Sequence, residues 1–201
     1  MFTVHFFNVS HVEVFEEDLV ACLEALRAGG TILYPTDTIW GLGCDATDEN
    51  AVRKIFDIKQ RPAHKSLVVL LADVKSIFRY VAHPHPDLAD ILAAFDRPTT
   101  VIYDGALHLA PSVINADGSV AIRLVQEPFC RHLVKRLRKP LVSTSANLSG
   151  QPSAPTFADV SPEVKQGVDY IVNYRQTDTT PATPSRIVKI RENGELEVIR
   201  G

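Results

Sequence analysis

The chain has 201 residues, of which 45% are apolar, and this is enough for one sizeable globular domain with a continuous core. Its 21 basic and 24 acidic residues nearly balance, which excludes a global electrostatic field that would hold a polyanion without a specific site. We therefore expect a single domain over residues 1–201, in which any contact with nucleic acid is local.

Cysteine usage and hydropathy bear on the cellular compartment. Cys22, Cys44 and Cys130 are an odd number at wide spacings, which fits neither a disulfide framework nor a zinc site. Residues 1–14 lack the basic start and long apolar run of an export signal. No run of about 18 apolar residues is available to span a membrane. These features predict a cytoplasmic protein with no membrane partner.

Hydrophobic periodicity predicts alternating helices and strands. Apolar residues recur at helical spacing over 15–28, and Gly29 and Gly30 supply the stop before a β-rich run over 31–34. Asp48 is a candidate N-cap for a helix that continues to Ile58. Further helices are predicted at 74–81, 87–95 and 128–137, and further strands at 66–72, 99–103, 120–124, 140–144, 170–173, 186–190 and 196–199.

This order of elements predicts an α/β fold, in which a twisted sheet of mixed parallel and antiparallel strands is flanked by helices. The run over 66–72 does not alternate, which is typical of a fully buried strand. Asn193 and Gly194 form a strong hairpin signal between the last two strands. The loop over 151–162 is rich in Pro, Ser and Thr, and we interpret it as a functional loop and a candidate lid.

The first segment with chemical potential is residues 34–46, which read YPTDTIWGLGCDA. Hydroxyls, an aromatic ring and glycines meet here between a strand and a helix, where α/β sheets usually bind ligands. The alternative is an ordinary turn, in which Thr36 and Thr38 cap backbone groups and Trp40 fills the core.

The second segment places Lys59, Arg61 and Lys65 at a helix end that runs into a strand. Three cations within seven residues are suited to a triphosphate, and Arg61 offers a bidentate fork. The alternative is a helix C-terminus that favours cations through its dipole.

The third segment, residues 140–150, has five neutral hydrogen-bonding side chains within seven residues, followed by Gly150. Such a run forms a backbone nest that cradles phosphate oxygens or a carboxylate. Capping or serine-turn roles for one or two of the residues are equally ordinary. The five residues are Ser143, Thr144, Ser145, Asn147 and Ser149.

The fourth segment is the strand over 120–124, in which Arg123 shares one face with Ala121 and Ser119. An arginine flanked by apolar residues needs an anionic partner if it is buried. The alternative is an arginine on an edge strand, exposed to water.

Together these segments resemble the YrdC-like family, which includes the threonylcarbamoyl-AMP synthases of tRNA modification. The resemblance covers roughly residues 19–200, and its most specific parts are the YPTDTxxGLGxDA, Lys-x-Arg and STSANxSG runs. It implies a YrdC-like fold and a nucleotidyltransferase that condenses L-threonine, bicarbonate or carbon dioxide, and ATP with Mg²⁺. The products are threonylcarbamoyl-AMP and pyrophosphate, and the adenylate then passes to tRNA through the threonylcarbamoyl transfer machinery.

The resemblance also implies roles for individual residues. Lys59 and Arg61 are the catalytic candidates, which neutralise charge as pyrophosphate leaves. No protein-built metal site is implied, because the metal arrives with the nucleotide. The threonine pocket consists of Thr38, Arg123, Ser143 and Ser185. The nucleotide contacts are Lys59, Arg61, Lys65, Ser119, Ser145, Asn147, Ser153 and Arg200. Departures from the family pattern include Trp40, Leu70 and Arg186.

Two other functions stay open at this point. One is an RNA-binding or ribosome-maturation module that takes double-stranded RNA, although the basic residues are few and lack the interleaved aromatic residues that stack bases. The other is a YrdC-like paralogue that keeps the nucleotide pocket and acts on another acceptor.

Overall fold

The computed structural model describes residues 14–62 and 66–201, and helices and strands alternate along them. The helices are α1 (Glu16–Arg27), α2 (Glu49–Lys59), α3 (Val74–Tyr80), α4 (Leu88–Ala93), α5 (Pro128–Leu137) and α6 (Pro162–Gly167). The strands are β1 (Ile32–Tyr34), β2 (Gly41–Gly43), β3 (Val68–Leu71), β4 (Thr99–Tyr103), β5 (Val120–Leu124), β6 (Leu141–Ser145), β7 (Tyr170–Ile171), β8 (Arg186–Ile190) and β9 (Leu196–Arg200). None of the helices in these two ranges is long and apolar enough to cross a bilayer.

The strands form one sheet in the order β7-β1-β2-β6-β3-β5-β4-β8-β9. Parallel pairs join β1 to β7, β3 to β5 and β4 to β8, and the remaining neighbours are antiparallel. Gly194 has a φ of +81° in the turn between β8 and β9, as the hairpin signal requires. The predicted mixed α/β sheet is therefore confirmed.

Strand β2 is absent from the sequence prediction, which treated the glycines of residues 34–46 as part of a loop. Gly43 has to lack a side chain, because a Cβ there would lie 2.7 Å from the Tyr34 ring. The glycines thus let a large aromatic ring lie flat against the neighbouring strand. Helix α6 is also missing from the prediction, since the sequence interpretation ended a loop at residue 162.

The two faces of the sheet are covered differently. One face packs against α2, α3 and α6 through a core that includes Ile55, Ile77 and Val164. The other face packs against α1 and α5, where Leu19 and Phe129 meet residues of β1, β3 and β6. Within the described residues, this second apolar cluster does not extend to β4, β5 or β8. Polar side chains of β4 and β5 occupy that half of the face.

A buried carboxylate connects α1 to the segment that follows β7. Asp18 is 5% exposed, and it accepts hydrogen bonds from the Tyr170 hydroxyl at 2.6 Å and from the Asn173 and Tyr174 amides at 3.0 and 2.8 Å. The next residue, Arg175, donates from Nη1 to the Thr36 carbonyl at 3.1 Å. Asp18 therefore fixes the backbone that in turn holds the loop after β1.

Replacing Asp18 with alanine is expected to lower the free energy of unfolding by about 2–3 kcal/mol, because several buried donors lose a charged acceptor. Urea denaturation measures the change. The matched control is Glu17→Ala, which removes an exposed acid from the same helical turn. Equal stabilities of the two variants would show that the Asp18 hydrogen bonds contribute nothing net.

Candidate active site

Lys59 joins the end of α2 to the loop after β6. Its side chain is 1% exposed, and Nζ donates to the carbonyls of Ser145 at 2.5 Å and Asn147 at 2.6 Å. The Lys59 carbonyl accepts from the Ser149 amide at 2.8 Å. Burial, reinforced by the charge of Arg61, lowers the pKa of Lys59 to about 7. The two sequence segments that were predicted to share a site are therefore in direct contact.

Arg61 follows the left-handed residue Gln60, which ends α2 with a φ of +48°. The half-buried Arg61 donates from Nη2 to the Ser66 carbonyl at 2.7 Å, and its buried Nε has no hydrogen-bond partner among the described residues. Burial lowers its pKa. The guanidinium thus keeps a free donor. Lys65, the third predicted cation, lies outside the described residues.

The other predicted nucleotide contacts of the 145–153 region form a turn. Asn147 donates from Nδ2 to the carbonyls of Leu148 at 2.9 Å and Gln151 at 2.7 Å, so its amide shapes the turn. Ser145 is half-buried at the end of β6, and Ser153 is half-buried in the loop that follows. Both side chains therefore keep some contact with solvent.

Ser119 directly precedes β5. The first residues of β5 and the last residues of β6 lie at the same end of the strands. The register aligns Val68 with both Ala121 and Ser143, so Ser119 and Ser145 fall on the same side of that row. The Ser119 hydroxyl donates to Asp117 Oδ1 at 2.7 Å and accepts from the side-chain amide of Asn115 at 3.0 Å. Its side chain is thus engaged within its own turn.

The loop after β1 combines both sequence interpretations. Thr36 Oγ1 accepts from the Thr38 amide at 3.0 Å and donates to the Ile39 carbonyl at 2.8 Å, as expected for an ordinary turn. Trp40 is buried, with its ring 4.7 Å from that of Phe157. Thr38 is 8% exposed. The turn interpretation is correct for Thr36 and Trp40, and this turn also fixes the acid that follows Thr36.

Arg123 lies in the interior of the sheet, because β5 pairs with both β3 and β4. The exposed edge-strand alternative is therefore wrong. Arg123 is 4% exposed, and its Nη2 lies 3.0 Å from Oδ1 of Asp37. Asp37 Oδ2 accepts a hydrogen bond from the backbone amide of Gln126 at 3.2 Å. The anionic partner that a buried arginine requires is Asp37.

The remaining predicted threonine-pocket residues lie on the same face. Thr100 pairs with Arg123 in the sheet, and its hydroxyl is 2.8 Å from that of Ser185. Ser143 is 7% exposed. It pairs with Val68 of β3, which also pairs with Ala121 of β5. Arg200 is exposed and donates to the Ser185 carbonyl at 2.7 Å.

Of the three family departures, Leu70 packs on this face, Arg186 lies beside it and Trp40 lies in the core on the opposite face. Leu70 is fully buried in the α1 and α5 core, next to Arg123 in the register. Arg186 donates to the Thr99 hydroxyl at 3.3 Å, and its guanidinium lies 5.4 Å from the Phe95 ring centre. Trp40 fills the opposite core.

The sequence interpretation missed Asp37 and Thr100 as site residues. Asp37 stands within the quoted YPTDT run, and a buried strand arginine was expected to need an acid. The sequence therefore contained both the acid and the arginine that needs one, but their separation along the chain does not show that they are in contact. Thr100 gave no signal beyond its place in a β-rich run.

Titration of Lys59 is expected to make stability depend on pH. Between about pH 7 and the ordinary lysine value of 10.5, the unfolded chain binds a proton that native Lys59 does not bind. The free energy of unfolding therefore rises with pH in this window, by up to about 1.4 kcal/mol per unit. Urea denaturation of the wild type and Lys59→Met across the window measures the difference between them. A difference that does not change with pH would show that native Lys59 stays protonated.

Comparison with known proteins relates this geometry to a family. A model of the Sua5/YciO/YrdC family, described as "Telomere recombination", matches residues 24–201. The threonylcarbamoyl-AMP synthase of Stenotrophomonas maltophilia is 33% identical over 174 residues, which are 85% of this chain and 94% of the relative.

Solved structures have the same fold. P. abyssi Sua5 complexed with L-threonine has 25% sequence identity and a TM-score of 0.75, and the match covers 87% of this chain and 51% of that one. This chain thus spans about half the length of that Sua5. E. coli YciO has 21% identity and a TM-score of 0.78, with 92% and 89% covered. From the family model and the relative above 30% identity, we conclude that the chain belongs to the Sua5/YciO/YrdC family.

Proposed function

We propose that the chain condenses L-threonine, bicarbonate or carbon dioxide, and ATP into threonylcarbamoyl-AMP and pyrophosphate. The observation that carries the proposal is the contact between Lys59 and the Ser145 and Asn147 carbonyls, next to a face that bears Arg123. The relatives named threonylcarbamoyl-AMP synthase support it, as does the L-threonine complex of P. abyssi Sua5.

The proposed chemistry requires no side-chain nucleophile. The threonine ammonium group first loses a proton, and the neutral amine then combines with carbon dioxide and releases a second proton to give a carbamate. A carbamate oxygen then attacks the α-phosphorus of ATP, the bond from that phosphorus to the bridging oxygen breaks, and pyrophosphate leaves. Catalysis rests on the alignment of three substrates and on neutralisation of the leaving charge.

The residue roles follow from position and charge. Arg61 keeps a free donor for a phosphate oxygen, and the Lys59 amine stands where phosphate charge would favour its protonated form. In the proposal, the hydroxyls and Arg123 bind threonine. The full nucleotide set is Lys59, Arg61, Lys65, Ser119, Ser145, Asn147, Ser153 and Arg200, and the threonine set is Thr38, Arg123, Ser143 and Ser185.

We propose that Mg²⁺ enters with ATP, where it would neutralise part of the phosphate charge. Within residues 14–62 and 66–201, no group of three His, Cys, Asp or Glu side chains lies together to hold a metal ion. The adenylate is proposed to pass to tRNA through the transfer machinery in the cytoplasm, and the loop over 151–161 is the candidate lid that shields the product from water.

The RNA-binding alternative has less support from the site. Lys59 is buried against two carbonyls, and Arg123 is buried against Asp37. A long phosphodiester backbone binds along a row of cations at the protein surface, and these two buried cations do not belong to such a row. Direct binding of double-stranded RNA stays a prediction that no observation favours.

Incubation with ATP, Mg²⁺, bicarbonate and threonine is expected to release pyrophosphate in a threonine-dependent manner. A coupled pyrophosphate assay measures the release, and omission of threonine is the control. Release no greater than with ATP alone would contradict the proposed function.

Substitution Arg61→Ala is expected to weaken ATP binding by about 10-fold or more, because a charge-assisted hydrogen bond to phosphate is lost. Isothermal titration measures the affinity. The matched control is Arg53→Ala, since Arg53 is an exposed arginine of α2, the helix that Arg61 follows, and pairs with Glu49 at 3.0 Å. Unchanged affinity in the Arg61 variant would return this residue to a helix-end role.

A further inference from the structure

Three buried polar atoms meet at the contact between Arg123 and Asp37. These atoms, Nε and Nη2 of Arg123 and Oδ1 of Asp37, have no hydrogen-bond partner in the described parts of the chain. The 3.0 Å ion pair brings the charges together without the direction of a hydrogen bond. Buried polar atoms without partners are rare, because each one costs free energy. Their concentration at one contact leaves hydrogen-bonding capacity there for a polar ligand or a water molecule.

The free atoms of Arg123 define the chemistry of one half of this ligand. Nε and Nη2 form one of the two edges through which a guanidinium donates a pair of parallel hydrogen bonds to a carboxylate. The arginine is fixed within the sheet between β3 and β4. This edge therefore suits a planar carboxylate group.

The free atom of Asp37 defines the other half. An ionised carboxylate only accepts hydrogen bonds, so Oδ1 needs a donor, and a cationic donor gives the stronger bond. Oδ2 is held by the Gln126 amide, and the preceding carbonyl of Thr36 is held by Arg175. Asp37 thus presents Oδ1 while its other carboxylate oxygen and the preceding carbonyl are both held.

We propose that Asp37 binds the α-ammonium group of the amino acid whose carboxylate lies on Arg123. An acid and a base in contact form a pair with no net charge, and an α-amino acid is its electrostatic complement, with a carboxylate and an ammonium group on the same carbon atom. Asp37 is then a residue that determines specificity for α-amino acids. The inference rests on the proposed function, and it adds the recognition of the amine.

Two ligands separate this role from a purely structural one. L-Threonine carries the ammonium group, whereas (2S,3R)-2,3-dihydroxybutanoate keeps the carboxylate and the side chain and has a hydroxyl in place of the amine. Isothermal titration of the wild type is expected to give at least about 10-fold tighter binding of threonine, the effect of one charge-assisted hydrogen bond. Equal affinities in the wild type would overturn the inference.

Variants then assign the preference to Asp37. In Asp37→Asn, threonine binding is expected to weaken by about 10-fold to 100-fold, while binding of the dihydroxy acid stays within about threefold. An equal loss for both ligands would overturn the inference, because Asp37 would then act only by positioning Arg123. Asp37→Glu keeps the charge and should keep the preference for threonine, even with lower affinities; loss of that preference would also count against the inference.

Controls distinguish the possible failures. Asp104→Asn removes an exposed acid that pairs with Lys189, and it should leave both affinities unchanged. Thermal unfolding and ATP affinity show whether each variant is folded. If Asp37→Asn does not fold, the comparison of the two ligands is made with Asp37→Glu instead. If the wild type binds ATP but neither acid, the proposed function fails and this inference fails with it. If the wild type binds both acids equally, only this inference fails.

Discussion

A guanidinium group in the middle of a β-sheet has to be compensated by an anion, and much of the architecture around the site serves that requirement. Arg123 lies on an interior strand, so its counter-ion has to reach over the sheet from a loop. Asp37 does so from the turn after β1. Arg175 holds the carbonyl next to it, and Asp18 holds the backbone next to Arg175. A chain of charged contacts thus runs from the first helix to the sheet centre.

The second buried cation is accommodated in a different way. Among residues 14–62 and 66–201 no acid forms an ion pair with Lys59, and two backbone carbonyls bind its amine in a site that lowers its pKa. A lysine can respond to burial by releasing its proton, whereas an arginine stays charged. In the proposed function, the amino acid side of the site therefore contains a fixed ion pair, and the nucleotide side contains an amine whose charge depends on its surroundings. Phosphate groups would restore that charge.

Most of the fold could be predicted from hydrophobic periodicity, capping and turn signals. Asp48 does cap α2, accepting from the amides of Asn50 and Ala51, and the glycine turn does join β8 and β9. Strand β2 could not be predicted, because its glycines match a loop pattern and their reason is the ring of Tyr34 on the adjacent strand. Such a packing constraint has no signature in local sequence.

The site was predicted less completely than the fold. The requirement for an acid beside Arg123 follows from burial alone, but the identity of that acid depends on how distant segments meet. Thr100 and Ser185, which share a hydrogen bond across 85 residues, illustrate the same limit. The roles of all the predicted site residues, Ser119 and Ser153 included, and the participation of Mg²⁺ stay predictions.

The parallel pairing of β1 with β7 has a consequence for how the molecule reaches its native state. Thr31, beside β1, is bonded to Asp169, 138 residues further along the chain. Such pairings give a high contact order, because a long loop has to close before the contact is made, and chains of this kind fold slowly. The ion pair and the loop that supplies it come together only after these closures. A nascent or partly refolded chain therefore lacks its binding site until these long loops have closed.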